Sequence, residues 1–411
     1  MAGTERGAFE MTRLPSIQDA EVNEKRVFLR CDYNVPLDDQ GNIADESRIL
    51  ASLKTVHSLL DRGARVFVTS HLGRPKGQMS PELSLKPVAL RLADLVGGPV
   101  PLVTDYLGED EPKELKGVKP GEIAVLENVR FWAGETKNDP ELAKAYARLA
   151  DIYVNDAFGT SHREHASVVG VARFLPHYAG FLLEEELNHL DKLLSEDVQR
   201  PYVVVLGGAK VENKLPILEY LAPRTDIIMI GGAMAFTFLK AQWREVGISR
   251  VEEDIIDDVR RILDSQASMG YRVELPRDII VAPNADPGTQ PRMVDIDDFP
   301  HDCAGYDIGV KTRMAWDPLL RRAGTVIWNG PMGLFEDWRY NGGTRAIAKA
   351  IALGKAYSVA GGGETMSAIN HFGLGWGFSH ISTGGGASLE YLSGRTLPGV
   401  AVLLEPQPVK S

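Results

Sequence analysis

Two sets of residues in this sequence have the types and spacing to handle anions. In the first half, short apolar runs end in Cys31-Asp32-Tyr33-Asn34-Val35-Pro36-Leu37, Ser70-His71-Leu72-Gly73-Arg74-Pro75, Glu127-Asn128-Val129-Arg130-Phe131 and Asp156-Ala157-Phe158-Gly159-Thr160-Ser161-His162-Arg163, with Arg48 just beyond the first. Arginine forks clamp carboxylate and phosphate oxygens with paired, directional bonds, so such a set beside His71 suits a small, highly anionic metabolite. Any one of these arginines is more often a solvated or structural ion pair, and their recurrence in corresponding loops weakens that alternative. In the second half the run Val203-Val204-Val205-Leu206 ends in Gly207-Gly208-Ala209-Lys210-Val211-Glu212-Asn213-Lys214, and further glycine clusters stand at 231–232, 361–363 and 384–386. Positive φ is expected at Gly207 and Gly208, which also leave no side chain between amide and ligand. A helix is predicted from about 213–216, capped by Asn213 with Pro216 in its first turn. Lys210 then lies in the loop and Lys214 at a helix N-terminus, a setting that holds phosphate. The same turn also reads as a plain strand-to-helix connection with solvated lysines.

These residues need strands that deliver them to one edge. Apolar runs at 26–30, 65–69, 122–126, 152–154, 203–206, 226–230, 278–281, 325–328, 357–360 and 378–382 alternate with amphipathic segments, the pattern of parallel sheets covered by helices. Ser47 is expected to cap a helix with Ile49, Leu50, Leu53, Val56, Leu59 and Leu60 at helical spacing, stopped by Gly63. Helices are also predicted over 85–96 and about 140–150. The leucine-rich amphipathic segment 180–194, before Pro201, is the candidate connector between two domains. The predicted fold is α/β, with two doubly wound parallel-sheet (Rossmann-like) domains joined by a helical hinge. Residues 1–178 form the first, 179–399 the second, and 400–411 a tail packing back on the first. In open α/β sheets ligands sit outside the carboxyl ends of the strands, which is where both residue sets fall.

At 411 residues the chain exceeds the roughly 250–300 residues at which single cores stop growing. A net charge of −11 argues against nonspecific nucleic-acid binding. Cys31 and Cys303 cannot form a disulfide framework and read as small buried hydrophobes in a reducing compartment. The segment Met1 to Arg13 carries both charge signs and no apolar core, unlike a signal peptide, and no apolar run approaches a membrane span. The cytoplasm is the expected location. Neither G-x-x-x-x-G-K-[ST] nor G-x-G-x-x-G after a strand occurs, which removes support for a P-loop or a dinucleotide fingerprint. His162 and His165 either orient Arg163 or fill a loop; the second is the expectation.

Taken in order, Arg30-Cys31-Asp32-Tyr33-Asn34-Val35-Pro36-Leu37, Ser70-His71-Leu72-Gly73-Arg74-Pro75, Glu127-Asn128-Val129-Arg130-Phe131, Asn329-Gly330-Pro331-Met332-Gly333-Leu334-Phe335-Glu336 and Ser382-Thr383-Gly384-Gly385-Gly386-Ala387-Ser388-Leu389-Glu390 resemble the phosphoglycerate kinase family over nearly the whole chain. The resemblance implies a monomeric two-domain hinge enzyme of glycolysis and gluconeogenesis. It would move a phosphoryl group between 1,3-bisphosphoglycerate and ADP, with Mg2+ as cofactor and 3-phosphoglycerate and ATP as the other pair. By position it implies a phosphoglycerate site of Asp32, Tyr33, Asn34, Arg48, His71, Leu72, Gly73, Arg74, Arg130 and Arg163. It implies a nucleotide site of Lys210, Lys214, Gly309, Asn329, Glu336, Gly362, Gly363, Glu364 and Thr365, with Glu364 toward the metal. Arg48, Lys210, Gly362 and Gly385 are implied around the moving group. The sequence departs from the family pattern at Tyr33, usually phenylalanine, at Cys31, usually aliphatic, and at Glu364, where the metal ligand is usually aspartate. The extra methylene of Glu364 moves its carboxylate outward, which leaves two arrangements open, direct contact with the ion or a bridging water.

Overall fold

The computed structural model describes residues 13–108 and 112–408; apart from Arg13, the stretch read above as lacking signal-peptide character lies outside them. These residues divide into two compact units, one of 13–188 with 396–408 and one of 189–395. The division falls at Asn188/His189, inside the helix Phe181–Leu194, where the sequence reading set it ten residues earlier.

The N-terminal unit is built on a sheet of β1 (Arg26–Cys31), β2 (Arg65–Thr69), β3 (Leu102–Val103), β4 (Ile123–Leu126), β5 (Ile152–Asp156) and β6 (His177–Ala179). The order is β3-β4-β2-β1-β5-β6 and every pairing is parallel. In register, Val27 stands between Val66 and Ile152, and these side chains join Ile49, Val56 and Leu59 in one core. Full burial of each such aliphatic contributes roughly 1.5–3 kcal/mol, which is why apolar β-branched runs settle here. Arg30 is the exception in β1: it is charged and has no exposed surface. Residues 396–408 return to this unit, where Gly399 N–H donates to the Ser161 carbonyl at 2.8 Å and Asn155 Nδ2 donates to the Gly399 carbonyl at 3.0 Å.

The C-terminal unit holds β7 (Tyr202–Leu206), β8 (Ile227–Ile230), β9 (Arg272–Glu274), β10 (Asp278–Ala282), β11 (Arg292–Asp295), β12 (Ala304–Ile308), β13 (Thr325–Asn329), β14 (Tyr357–Gly361) and β15 (His380–Ser382). A parallel sheet runs β15-β14-β13-β7-β8-β9. Val203 lies between Ile227 and Val326, over a core with Trp316, Trp328 and Ile347. The run at 278–281 was expected in this sheet. It instead forms the centre of a separate antiparallel sheet, β11-β10-β12, because its neighbours in space are the following segments of the same excursion.

Local details also differ from expectation. The helix Ser47–Asp61 starts at Ser47, with Glu46 at the cap position; the Asp45 carboxylate takes the Ser47 N–H at 2.8 Å, so the serine hydroxyl is not the cap. A 3-10 turn Glu212–Lys214 precedes the helix Leu215–Leu221, which has Lys214 rather than Asn213 at its cap position and no side-chain cap. Of the glycine pair only Gly208 has positive φ, +85°; a side chain on Gly207 would collide with the Pro331 carbonyl. Both cysteines are free and buried.

Candidate active site

In each unit the strand order reverses once, at β1/β5 in one and at β7/β13 in the other, the position where open α/β sheets bind ligands. Around the first reversal, Arg74, Arg130 and Arg163 line one cavity of about 600 Å³ together with Lys76, Lys137 and His165, and no acid is among its lining residues. In a chain of net charge −11 such a wall is a local field of opposite sign, able to concentrate small anions. Arg130 is nearly buried; its Nη1 donates to the Gly73 carbonyl at 2.7 Å and its Nε has no partner. Burial first, and then the Arg163 and Arg30 charges, pull its pKa down to about 10. That is a cation short of counter-charge.

His71 is buried at the same place and held well below the usual histidine range, by desolvation first and then by Arg30, Arg130, Arg163 and Arg48. At neutral pH it is therefore a neutral imidazole. Arg48 Nη1 meets Asp32 Oδ2 at 2.7 Å. Asn34 Oδ1 accepts from the Gly73 N–H at 2.8 Å, fixing a turn in which Gly73 has φ +62°. Tyr33 and Leu72 point elsewhere: both are buried in the core, and the Tyr33 hydroxyl is 2.6 Å from Ser52 Oγ. Their backbone is engaged as well: the Tyr33 N–H donates to Ser70 Oγ at 2.8 Å, and the Leu72 carbonyl accepts from Asn128 Nδ2 at 2.7 Å. His162 corrects the loop-filling expectation, since its Nε2 accepts from Arg163 Nε at 3.1 Å.

The sequence reading passed over Lys76, Lys137, Arg30 and Glu135. A charged residue inside a strand that otherwise reads as buried on both faces was the available signal for Arg30. Lys76 follows Arg74-Pro75 directly and adopts φ +58°, a strained conformation for a non-glycine that is found at ligand sites.

At the second reversal, the loops after β7, β8, β13 and β14 surround a cavity of about 400 Å³ whose lining includes Gly208, Gly232, Pro331, Gly333, Glu336 and Glu364, with Phe236, Ile248, Tyr306 and Leu334 forming an apolar side. Polar and apolar walls together suit a nucleotide's phosphates and base. Lys210 is exposed in the loop. Lys214 is buried, and its ammonium donates to the Gly207 carbonyl and, at 3.2 Å, to the Asn329 carbonyl. Burial pushes its pKa down to about 8, against the pull of Glu364.

Asn329 Nδ2 donates to the Gly361 carbonyl at 2.8 Å, and Thr365 Oγ1 accepts from the Gly330 N–H at 2.7 Å. These two side chains brace the loops rather than face the cavity. Gly362, φ +95°, caps the helix Gly363–His371, and Gly385, φ +53°, caps Gly386–Leu392. Gly309 lies outside the cavity lining, where a side chain would collide with the Asp278 carboxylate. Glu364 sits exposed in the first turn of its helix and shares the cavity with the Gly208 turn. One carboxylate on the wall of this cavity fits a magnesium ion, which proteins commonly hold with one or two carboxylates alongside substrate phosphates.

Two parallel-sheet units, one with an arginine-walled recess and the other with a glycine-walled one, define a two-unit α/β phosphotransferase. A family model described as phosphoglycerate kinase matches residues 17–395. The phosphoglycerate kinase of Thermomicrobium roseum is 50% identical over 390 residues, covering 95% of this chain and 99% of that one. That of Pseudothermotoga lettingae is 47% identical over 386 residues, 94% and 97% of the two chains. Among solved structures, phosphoglycerate kinase from Coxiella burnetii superposes with TM-score 0.86 at 39% identity, over 95% of this chain and 99% of that one. The Pyrococcus horikoshii enzyme gives 0.84 at 34%, over 95% and 98%. The chain belongs to the phosphoglycerate kinase family and is a kinase of glycolytic phosphoryl transfer.

Proposed function

We propose that the chain reversibly transfers the acyl phosphate of 1,3-bisphosphoglycerate to ADP, with the acid bound in the N-terminal unit and the nucleotide in the C-terminal unit. The reading rests chiefly on the convergence of Arg74, Arg130 and Arg163 on one recess without an acid in its lining. In this account Arg74, Arg130 and Arg163 take the 3-phosphate. Asp32 and Asn34 orient the hydroxyl, and neutral His71 donates a hydrogen bond. Lys214 and the amides at Gly362, Gly363 and Gly385 receive the nucleotide phosphates, Glu336 the ribose, and the apolar wall of Phe236, Ile248, Tyr306 and Leu334 the base. Glu364 would hold magnesium, which when bound neutralises charge on those phosphates.

The acceptor oxygen is already ionised, so the step needs no general base; it needs in-line positioning and cations on the transferring group. Arg48 from one unit and Lys210 from the other fill that role once the units close about the helix Phe181–Leu194. Closure also keeps water from the acyl phosphate. A monomer working in the cytoplasm completes the proposal; no described helix is long and apolar enough to cross a membrane. An assay with 3-phosphoglycerate and MgATP, coupled to reduction of the acyl phosphate and followed by loss of nicotinamide absorbance, tests it. Turnover dependent on both substrates and on magnesium is expected, and nucleotide binding without turnover would refute it.

A further inference from the structure

Behind the arginine recess lies a chain of buried polar groups that the proposed reaction does not use. Arg30 Nε donates to Ser167 Oγ at 2.9 Å, and its Nη1 donates to the Cys31 carbonyl. The Ser167 hydroxyl donates in turn to Glu135 Oε1 at 2.6 Å, and the Ser167 N–H to Glu135 Oε2 at 3.1 Å. Tyr146 adds a longer bond to Oε2, 3.4 Å. Arg30, Ser167 and Glu135 have no exposed surface. A guanidinium and a carboxylate stripped of water are costly unless each is held by fixed partners, so this relay makes the orientation of Arg30 rigid.

The relay leads outward through Arg30 Nη2, which lies 3.4 Å from His71 Nδ1. A guanidinium has only donors. In a hydrogen bond across this contact His71 Nδ1 accepts, which leaves the proton of the neutral ring on Nε2. Asp32 Oδ1 stands 3.8 Å from the same Nδ1 and would draw the proton to that side if Arg30 were withdrawn.

We infer that Glu135 and Ser167 are positioning residues for the phosphoglycerate site, which through Arg30 lock His71 as the Nε2–H tautomer and so keep a donor available to the anionic substrate. The inference rests on the proposed assignment of this recess to phosphoglycerate. It adds two residues that touch neither substrate in that assignment.

The test uses the full-length protein with Ser167→Ala and Glu135→Gln, each checked for an intact fold by circular dichroism and urea unfolding. The His71 ring is followed by nitrogen-15 NMR, its signals identified by their loss in His71→Gln. The wild type is expected to show His71 protonated at Nε2. In Ser167→Ala the proton moves to Nδ1 or exchanges between the two. The KM for 3-phosphoglycerate then rises by about five-fold or more, as for a lost hydrogen bond to a charged group, with the KM for MgATP within about two-fold. If Glu135→Gln does not fold, Ser167→Ala alone decides. A folded Ser167→Ala with either an unchanged tautomer or an unchanged KM for 3-phosphoglycerate overturns the inference. Arg130→Ala in the same series separates the two layers. If it raises that KM while Ser167→Ala does not, only the positioning role fails; if it too leaves the KM alone, the assignment of the recess fails.

Discussion

Arg130 offers a test in which binding must weaken with no loss of stability. Its pKa is pulled down to about 10, by burial and then by Arg163 and Arg30, and its Nε is buried without a partner. At 1.36 kcal/mol per pKa unit the depression from 12.5 to about 10 corresponds to at most about 3–4 kcal/mol. Water reaching the open side of the recess screens part of it, leaving about 1–2 kcal/mol of strain in the ligand-free protein. Arg130→Met removes the charge and keeps most of the volume; the bond to the Gly73 carbonyl at 2.7 Å is lost, which offsets the gain by about 1 kcal/mol. Urea unfolding of the ligand-free variant should therefore show stability equal to or up to about 1 kcal/mol above the wild type. Steady-state kinetics should show the KM for 3-phosphoglycerate raised about 10- to 100-fold, the loss of one charge-assisted contact, with the KM for MgATP unchanged. A variant that is markedly less stable and yet binds 3-phosphoglycerate normally would refute the reasoning, because Arg130 would then be a structural residue and not a stored binding charge.

Other outcomes follow from the same groups. Lys210→Ala should lower turnover about 10²–10³-fold with nucleotide affinity nearly kept, as for one preorganised charge on a transferring group; equal losses in rate and affinity would make it a binding residue only. Lys214 has a folded pKa of about 8, so the ligand-free ammonium deprotonates as pH rises through that value, and the KM for MgATP should climb between pH 8 and 10 in the wild type but stay flat in Lys214→Arg. Asp156 is wholly buried, and its carboxyl is raised to about 7, chiefly by desolvation, although it accepts the Leu182 N–H at 2.9 Å. A raised carboxylate pKa means that the folded state binds the extra proton, so its contribution to stability is complete below about pH 4 and is lost as pH rises through about 7. Asp156→Asn should therefore unfold at higher urea than wild type at pH 8, by a few kcal/mol at most, and show no advantage at pH 4. An equal difference at both pH values would mean that the carboxyl does not titrate in this range.

The sheets were legible because period and apolarity decide them. Val203 to Leu206 is continuously β-branched or leucine, and every residue of β7 is buried, as a strand covered on both faces requires. What periodicity does not carry is partnership. The run at 278–281 is as apolar as its neighbours, but its pairing with β11 and β12 is set by segments whose sequences have weak strand character. Cap identity was misread for a related reason, since Asp45 competes with Ser47 and the 3-10 turn at Glu212–Lys214 displaces Asn213. In the first recess the arginines were readable from their place after strands. Glu135 and Ser167 were not, because their role depends on Arg30, from which they are separated by more than a hundred residues. Tyr33 shows the converse: the family resemblance implied a ligand contact, yet its ring belongs to the core.

The central proposal is that Arg48 and Lys210, carried on different units, act on one moving phosphoryl group. A double-mutant cycle on turnover, comparing Arg48→Ala, Lys210→Ala and the pair at saturating substrates, addresses that point directly. Groups that stabilise the same transition-state charge lose their effects non-additively, so the pair should cost little more than the worse single variant, short of the sum by at least about 1 kcal/mol. Losses that add to within about 0.3–0.5 kcal/mol would mean that the two cations work independently, and the account of a shared, closure-assembled site would be wrong.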